Sequence, residues 1–219
     1  MADGFSSFWG PVTSTHEWCE PNYVHSSYIA EFFNTVSNVP CIILALIGLV
    51  NSLRQRFEKR FSVLHVSNMV LAIGSMLYHA TLQRLQQQVF AIAHSQIRFD
   101  IGFKVHYALL CLLCIPRMYK YYIHTEDKSA KRLAKFYLVT LLAGSFFWLV
   151  DRLFCKDISS LWYFNPQGHA LWHVLMGFNS YFANTCLMYW RAEQRGWNPK
   201  VKQFLGIFPY VKIQKPKTQ

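Results

Sequence analysis

Five apolar runs, separated by short polar segments, divide the chain near 28–50, 62–79, 105–122, 136–154 and 170–190. Each is about 17–23 residues long, the length that an α-helix needs to cross roughly 30 Å of hydrocarbon. The strict alternation of a membrane β-barrel is absent, and in lipid only helices and closed barrels satisfy their own backbone groups. The pattern predicts an all-α fold, a polytopic membrane helix bundle with five spans.

The segment 80–104 interrupts this pattern. It opens with a glutamine-rich polar stretch, and only Val89–Ala93 is continuously apolar before further polar residues lead to Asp100. A stretch this short and polar cannot cross a bilayer. We therefore expect that 80–104 is not a span.

Composition agrees with a membrane protein that has basic loops. The chain is 53% apolar and 15% charged, whereas about a quarter of residues are charged in soluble domains. The net charge is +11, yet the first 29 residues contain no Lys or Arg. The cations concentrate in 51–61, in 123–135 and after 190, so the positive-inside rule places these segments in the cytosol and the N-terminus in a lumen. This placement disfavours a nucleic-acid partner.

The same distribution predicts a lumenal segment 1–27, a transmembrane domain 28–190 and a basic cytosolic tail 191–219. No cleavable signal precedes the first run, so the first helix is expected to direct insertion. Lys215 and Lys217 fit a K-x-K-x-x pattern in the last five residues. Such a pattern is a receptor-read retrieval address, and we expect a multi-pass protein of the endoplasmic reticulum or Golgi membrane.

Three histidines in two of the runs are candidates for metal chemistry. Ser75 and His79 are four residues apart near the end of the second run, and His169 and His173 are four apart at the start of the last. Residues at that spacing share a helix face, and five spans bring both faces to the lumenal end. Three imidazoles with one open position are typical of a hydrolytic zinc site, and Ser75 could donate to an oxyanion. A packing role for the histidines stays open at this point.

The N-terminal segment offers oxygen ligands without basic neighbours: Glu17, Glu20, Asn22 and Glu31, with the backbone carbonyl of Trp18. Such a set suits Ca²⁺, although the spacing is not that of an EF-hand. The residues alone favour a solvated acidic segment over a calcium site.

Cysteines and the remaining histidines complete the candidate residues. Cys19 and Cys155 are both expected outside the spans on the lumenal side, where a disulfide is permitted. The other histidines are interpreted as loop or surface residues: His16, His25, His65, His94, His106 and His124.

Several longer stretches form a more specific combination than any single motif. They are Phe8–Pro11, Ser14–Tyr23, Tyr28–Asn38, Gly74–His79, Trp148–Cys155 and Gly168–His173. The combination resembles the alkaline ceramidase family, and most closely its plant members, over about nine-tenths of the chain.

The resemblance implies an intramembrane amidase that cleaves ceramide to a sphingoid base and a fatty acid. It implies that zinc is held by His79, His169 and His173, with Ser75 as the catalytic serine. It implies that calcium is held by Glu17, Trp18, Glu20, Asn22 and Glu31. The family's disulfide corresponds to Cys19 and Cys155.

The chain departs from the family at one place. Seven helices and an Asp-Glu-x-Pro type motif after the second helix are typical of the family, but here Gln88 is followed directly by Val89. We interpret this as an internal deletion that removes two crossings and the family's catalytic aspartate. Asp100 and Asp151 are nearby acids, but neither matches the position of that aspartate.

Two functional hypotheses follow. The first is a zinc-dependent ceramide amidase whose activity is impaired by the deletion. The alternative is an inactive membrane isoform that binds sphingolipid or the full-length enzyme. Both make the bilayer and ceramide the expected partners.

Overall fold

Six helices and one small hairpin make up the described part of the computed structural model, which covers residues 5–14, 18–83, 100–161, 165 and 167–215. The helices are α1 (Phe32–Val36), α2 (Val39–Arg54), α3 (Lys59–Thr81), α4 (Asp100–His124), α5 (Lys128–Leu161) and α6 (Gly168–Gln194). Strands β1 (Lys200–Phe204) and β2 (Phe208–Lys212) pair antiparallel after α6. The predicted helical membrane bundle is confirmed, and the hairpin is an addition to it.

Membrane-spanning character is clearest in three places. Within the described ranges, the segments long and apolar enough to cross are Phe32–Arg54, Lys59–Thr81 and Lys128–Cys155. Helices α4 and α6 cover the other two predicted runs. The mean hydropathy of α6 is lowered by polar residues such as Asn179 and Asn184, which the helix buries against its neighbours. The chain is a multi-pass membrane protein, while most of 80–104 lies outside the described residues.

Helix α6 lies at the centre of the bundle and packs along α5 and α2. Gly177 allows a close approach between α6 and α2, because a Cβ there would lie 3.1 Å from Cα of Cys41. Small residues permit such contacts between membrane helices. The pairing fixes α2 and α6 side by side, running in the same direction.

The expectation that His65 is a loop or surface residue is wrong. His65 is 1% exposed within α3 and packs against α2 at Gly48, where any Cβ would collide with the imidazole. Pairing with α2 buries one face of α3 regardless of the residue type on that face, and His65 lies on it. The prediction was wrong because it relied on the polarity of histidine alone. His25 and His124 are exposed as expected, while His16, His94 and the side chain of His106 lie outside the described part.

A cluster of ions joins the α2–α3 loop to the end of α6. Glu58 accepts a hydrogen bond from Nε of Arg191 at 2.7 Å and pairs with Arg60 and Arg195. The hydrogen bond from Arg191, with the charges of the other two arginines, holds the pKa of Glu58 below its usual range. Exposed ion pairs stabilise a fold little. Their position shows that basic side chains are concentrated at this end of the bundle.

Candidate metal centre

Three buried imidazoles meet where α3 ends and α6 begins. His79, His169 and His173 are each at most 5% exposed, and one ring nitrogen from each lies within 4.8 Å of the others. Their ring centroids are 4.5–5.1 Å apart. The structure thus brings the three sequence-predicted ligands close enough to share one ion.

Asp151 fixes the start of α6 and therefore His169. Its Oδ1 accepts the backbone N–H of His169 at 3.2 Å, and its Oδ2 accepts that of Cys19 at 3.4 Å. The first amides of a helix have no partner within the helix, so a carboxylate satisfies them well. One turn further along α5, Cys155 forms a disulfide with Cys19. Together these bonds hold the N-terminal segment against the histidines.

Two of the imidazoles are oriented by groups on α1 and its flanks. Nδ1 of His79 contacts Oε2 of buried Glu31, so that nitrogen carries the proton and Nε2 keeps its lone pair. Nδ1 of His173 lies 2.9 Å from Oγ of Ser37, whose hydroxyl donates to the carbonyl of Asn34. The oxygen of Ser37 can therefore accept from His173. This arrangement is typical of the partners that hold metal-binding histidines in place.

His169 supplies the observation that best fits a metal. Its ring stacks on Trp18 with 3.5 Å between centroids, and Trp172 flanks it at 5.1 Å. Its Nδ1 is buried and has no hydrogen-bond partner among the described residues. An unsatisfied buried nitrogen is costly, and coordination of a metal through this nitrogen would remove that cost. The donor set, three neutral imidazoles, suits a transition metal.

Ser75 stands beside the cluster. Its Oγ lies 3.3 Å from Nε2 of His173, the nitrogen that is free of Ser37. A hydroxyl at this position can reach a group bound between the histidines. The predicted serine therefore lies next to a nitrogen of one of the three clustered histidines.

The calcium candidates are placed around α1. Glu20 accepts the backbone N–H groups of Phe33 at 2.7 Å and Asn34 at 2.8 Å, and Nδ2 of Asn34 donates to Glu31 at 3.2 Å. Burial raises the pKa of Glu20, and the nearby charge of Glu31 adds to this. Asn22 is half-buried in the same segment, while Glu17 lies outside the described residues. Two carboxylates thus lie in the protein interior, and one of them, Glu31, contacts the imidazole of His79.

The hydrogen-bond partners that orient the histidines were not predicted from the sequence. Ser37 was not singled out, and Glu31 was considered for calcium alone. Polar residues at the start of an apolar run carried a usable signal, because such residues are costly in a membrane unless they have a role. Asp151 was named only as a nearby acid that does not match the family's aspartate, and its two oxygens accept the backbone N–H groups of His169 and Cys19. The side chain of Asp100 lies outside the described part.

Lys215, one of the two predicted retrieval residues, lies beside the α2–α3 loop. Nζ of Lys215 donates to the carbonyl of Arg56 at 3.3 Å and lies 4.6 Å from the ring centroid of Trp197. Lys217 falls outside the described residues.

Replacing Glu31 by Gln is expected to weaken the affinity for added Zn²⁺ about 10–100-fold, the usual cost of losing a partner of a ligating histidine. The amide cannot stabilise the proton on Nδ1 of His79 as a carboxylate does. Competition with a chromophoric chelator in detergent measures this. Glu58→Gln, at the other end of the bundle, is the matched control, and equal affinities in the two variants would contradict the orienting role of Glu31.

Known proteins show the same pattern along nearly the whole chain. A family model described as Ceramidase matches residues 10–90 and 86–212. An Arabidopsis thaliana protein named alkaline ceramidase is 65% identical, with all of both chains covered. Alkaline ceramidase 3 of Mus musculus is 29% identical, over 94% of this chain and 95% of its own, and alkaline ceramidase of Drosophila melanogaster is 26% identical over 94% and 90%.

The alignments also bear on the junction at Gln88 and Val89. The two matches to the family model meet at 86–90. The Arabidopsis alignment spans 256 positions, so at least 256 − 219 = 37 of them have no counterpart in this chain. Both observations support an internal deletion relative to these relatives. The family model and the full-length similarity establish that the chain belongs to the ceramidase family.

Proposed function

We propose that this chain is a zinc-dependent intramembrane amidase that hydrolyses ceramide to a sphingoid base and a fatty acid. The supporting observation is the buried cluster of His79, His169 and His173 at one end of membrane-spanning helices, in a chain whose relatives are named as alkaline ceramidases. A lipid amide in the bilayer can reach a site at that depth without leaving the membrane.

Zinc is the metal that we infer for the cluster. Neutral nitrogen ligands favour Zn²⁺ over Mg²⁺ or Ca²⁺, and three protein ligands leave one position open. When bound, the ion would polarise the amide carbonyl and lower the pKa of water toward about 7. Glu31 and Ser37 orient two rings, and Trp18 shields the third from water. These contacts keep the ligands in place before substrate arrives.

Ser75 is proposed to stabilise the oxyanion. As water adds to the amide carbon, negative charge collects on the carbonyl oxygen, and a hydroxyl near His173 can donate to it. The C–N bond then breaks, the nitrogen takes a proton and leaves as the amine of the sphingoid base, and the acyl group leaves as a fatty acid. The proton needs a carrier, and the family's aspartate motif is absent at the junction of Gln88 and Val89. We therefore propose that turnover is slow.

The second candidate is an inactive membrane isoform that binds sphingolipid or the full-length enzyme. The deletion favours it, because zinc ligands on α3 and α6 survive while the acid–base group does not. It predicts bound zinc and bound lipid without release of product.

The test is fatty-acid release from ceramide by the purified chain in lipid vesicles, before and after a zinc chelator. The amidase proposal predicts slow release that stops with chelator and returns with Zn²⁺, since the metal activates water. Zinc bound without any release identifies the inactive isoform. Release that persists after complete zinc removal would contradict both candidates.

We further propose that Glu17, Trp18, Glu20, Asn22 and Glu31 hold Ca²⁺ beside the zinc. Support comes from Glu20 and Glu31, which are buried next to one another, because buried charges require a counter-charge or a metal. Calcium is expected to raise the melting temperature of the protein, and Glu20→Gln is expected to reduce that increase at least by half. An unchanged calcium effect in Glu20→Gln would remove Glu20 from the site.

We propose that the protein lies in the endoplasmic reticulum or Golgi membrane with the histidine end toward the lumen, divided into 1–27, 28–190 and 191–219 as predicted. The disulfide of Cys19 with Cys155 fits an oxidising compartment at that end, and the opposite end carries the Glu58–arginine cluster. A glycosylation acceptor added at the N-terminus should be modified and one at the C-terminus should not. The reverse result would invert the orientation.

A further inference from the structure

The segment after α6 folds back along the bundle. Gln214 donates its backbone N–H to the carbonyl of Trp197 at 2.9 Å, and the N–H of Ile213 donates to Oε1 of Gln55 at 3.1 Å. The side-chain amide of Asn51 makes two hydrogen bonds with the backbone of Val211. Its nitrogen donates to the carbonyl of Val211 at 3.0 Å, and its oxygen accepts the N–H of Val211 at 3.2 Å. Val211 is 0% exposed. The hairpin is therefore anchored to helix α2 by a series of bonds.

From Ile213 back to Pro209, successive residues of the hairpin contact the helices at increasing distance from the basic end of the bundle. The partner of Val211, Asn51, lies one helical turn before Gln55, the partner of Ile213. Further along the strand, the carbonyl of Pro209 accepts a hydrogen bond from the hydroxyl of Tyr181 on α6 at 2.6 Å. Tyr181 is ten residues from Arg191, which pairs with Glu58 at the basic end. At 1.5 Å per residue this is roughly 15 Å, half the thickness of the hydrocarbon core.

The tip of the hairpin continues past that level. Register runs from the Lys200–Lys212 pair to the Phe204–Phe208 pair, so the turn lies beyond Pro209 on the side away from the basic end. Phe204, Leu205 and Ile207 are 49%, 74% and 70% exposed. The N–H of Ile207 donates to the carbonyl of Phe204 at 3.2 Å, which satisfies part of the turn internally.

The hairpin is thus charged at one end and apolar at the other. Lys200 and Lys212 pair at the end of the hairpin next to Gln55, in the α2–α3 loop that also carries Glu58, where lipid headgroups would be. Exposed Leu and Ile side chains at the depth of membrane helices fit acyl chains, and lysines at a membrane surface fit anionic headgroups. We propose that β1 and β2 form a re-entrant hairpin that enters the bilayer at the end of the bundle remote from the histidines and whose tip, Phe204–Ile207, contacts acyl chains near the middle of the hydrocarbon core.

The proposal is tested with an environment-sensitive fluorophore on a single cysteine at the tip. The chain carries Cys41→Ala, Cys111→Ser and Cys114→Ser, which leaves the buried thiol of Cys186 and the disulfide of Cys19 with Cys155. In this background Leu205→Cys is compared with Lys200→Cys, its matched control at the other end of the same hairpin. Vesicles contain lipids with a nitroxide quencher either on the acyl chain or on the headgroup. Retention of Zn²⁺ identifies folded protein in each case.

Label at position 205 should be quenched at least about twofold more by acyl-chain nitroxide than by headgroup nitroxide, because the tip lies at hydrocarbon depth. Label at position 200 should show the opposite preference. Ile207→Cys provides a second reporter at the tip and should behave like Leu205→Cys. Quenching of the tip by aqueous iodide would overturn the proposal. So would shielding of the tip from both lipid and iodide, as a second copy of the chain would produce.

Discussion

Replacement of His173 by alanine is expected to remove bound zinc, and any ceramide hydrolysis with it. His173 supplies one of three ligand nitrogens and lies beside Ser75, so its loss removes both a metal bond and the fixed position of the ion. We expect the affinity for zinc to fall by more than about 100-fold, beyond the 10–100-fold cost of losing an orienting partner. Metal analysis after dialysis against a chelator measures this directly.

The control for His173→Ala is His124→Ala, an exposed histidine on α4. It should keep the zinc content of the parent chain. Zinc retained by His173→Ala at the parent level would contradict the three-histidine site, whatever the activity of either variant.

Insertion of the missing segment between Gln88 and Val89 is expected to raise the rate of ceramide hydrolysis about 10²–10⁴-fold. This is the usual contribution of a positioned general acid–base group, and the inserted residues would be those of the Arabidopsis relative that are absent here. Because the three histidines are already together without the segment, zinc content should not change. Fatty-acid release per bound zinc is the quantity to compare.

The matched control carries the same insertion with one change, in which the aspartate of the Asp-Glu-x-Pro type motif expected from the family resemblance is replaced by asparagine. It restores the helices but not the proton carrier, so it should stay close to the deleted form in rate. If both insertions were equally active, the deletion would act through packing of the bundle and not through the missing acid.

The candidate site was predictable as far as spacing and topology determine it. Four-residue spacing puts His169 and His173 on one helix face, and the five predicted spans put His79 at the same end. The periodicity of apolar residues does not predict which polar side chain will hydrogen-bond to each imidazole. The contacts of Ser37 with His173 and of Glu31 with His79 join residues distant in sequence, and they follow from tertiary packing.

The hairpin shows a different limit of sequence interpretation. In the tail, Leu205-Gly206-Ile207 lies between two short runs with alternating character, which is itself a hairpin signal. Because of its lysines, the tail was interpreted as a basic cytosolic segment without defined structure elements. What decides its position is burial of Val211 against α2 and the bond of Pro209 to Tyr181, contacts that no local pattern contains.

The central claim is that three imidazoles hold one zinc ion at the end of the bundle. Zinc K-edge X-ray absorption on the purified, zinc-loaded chain tests it most directly. We predict one zinc per chain with three nitrogen ligands near 2.0–2.1 Å and one oxygen. A spectrum dominated by sulfur ligands, or one unchanged in His79→Ala, would contradict the account.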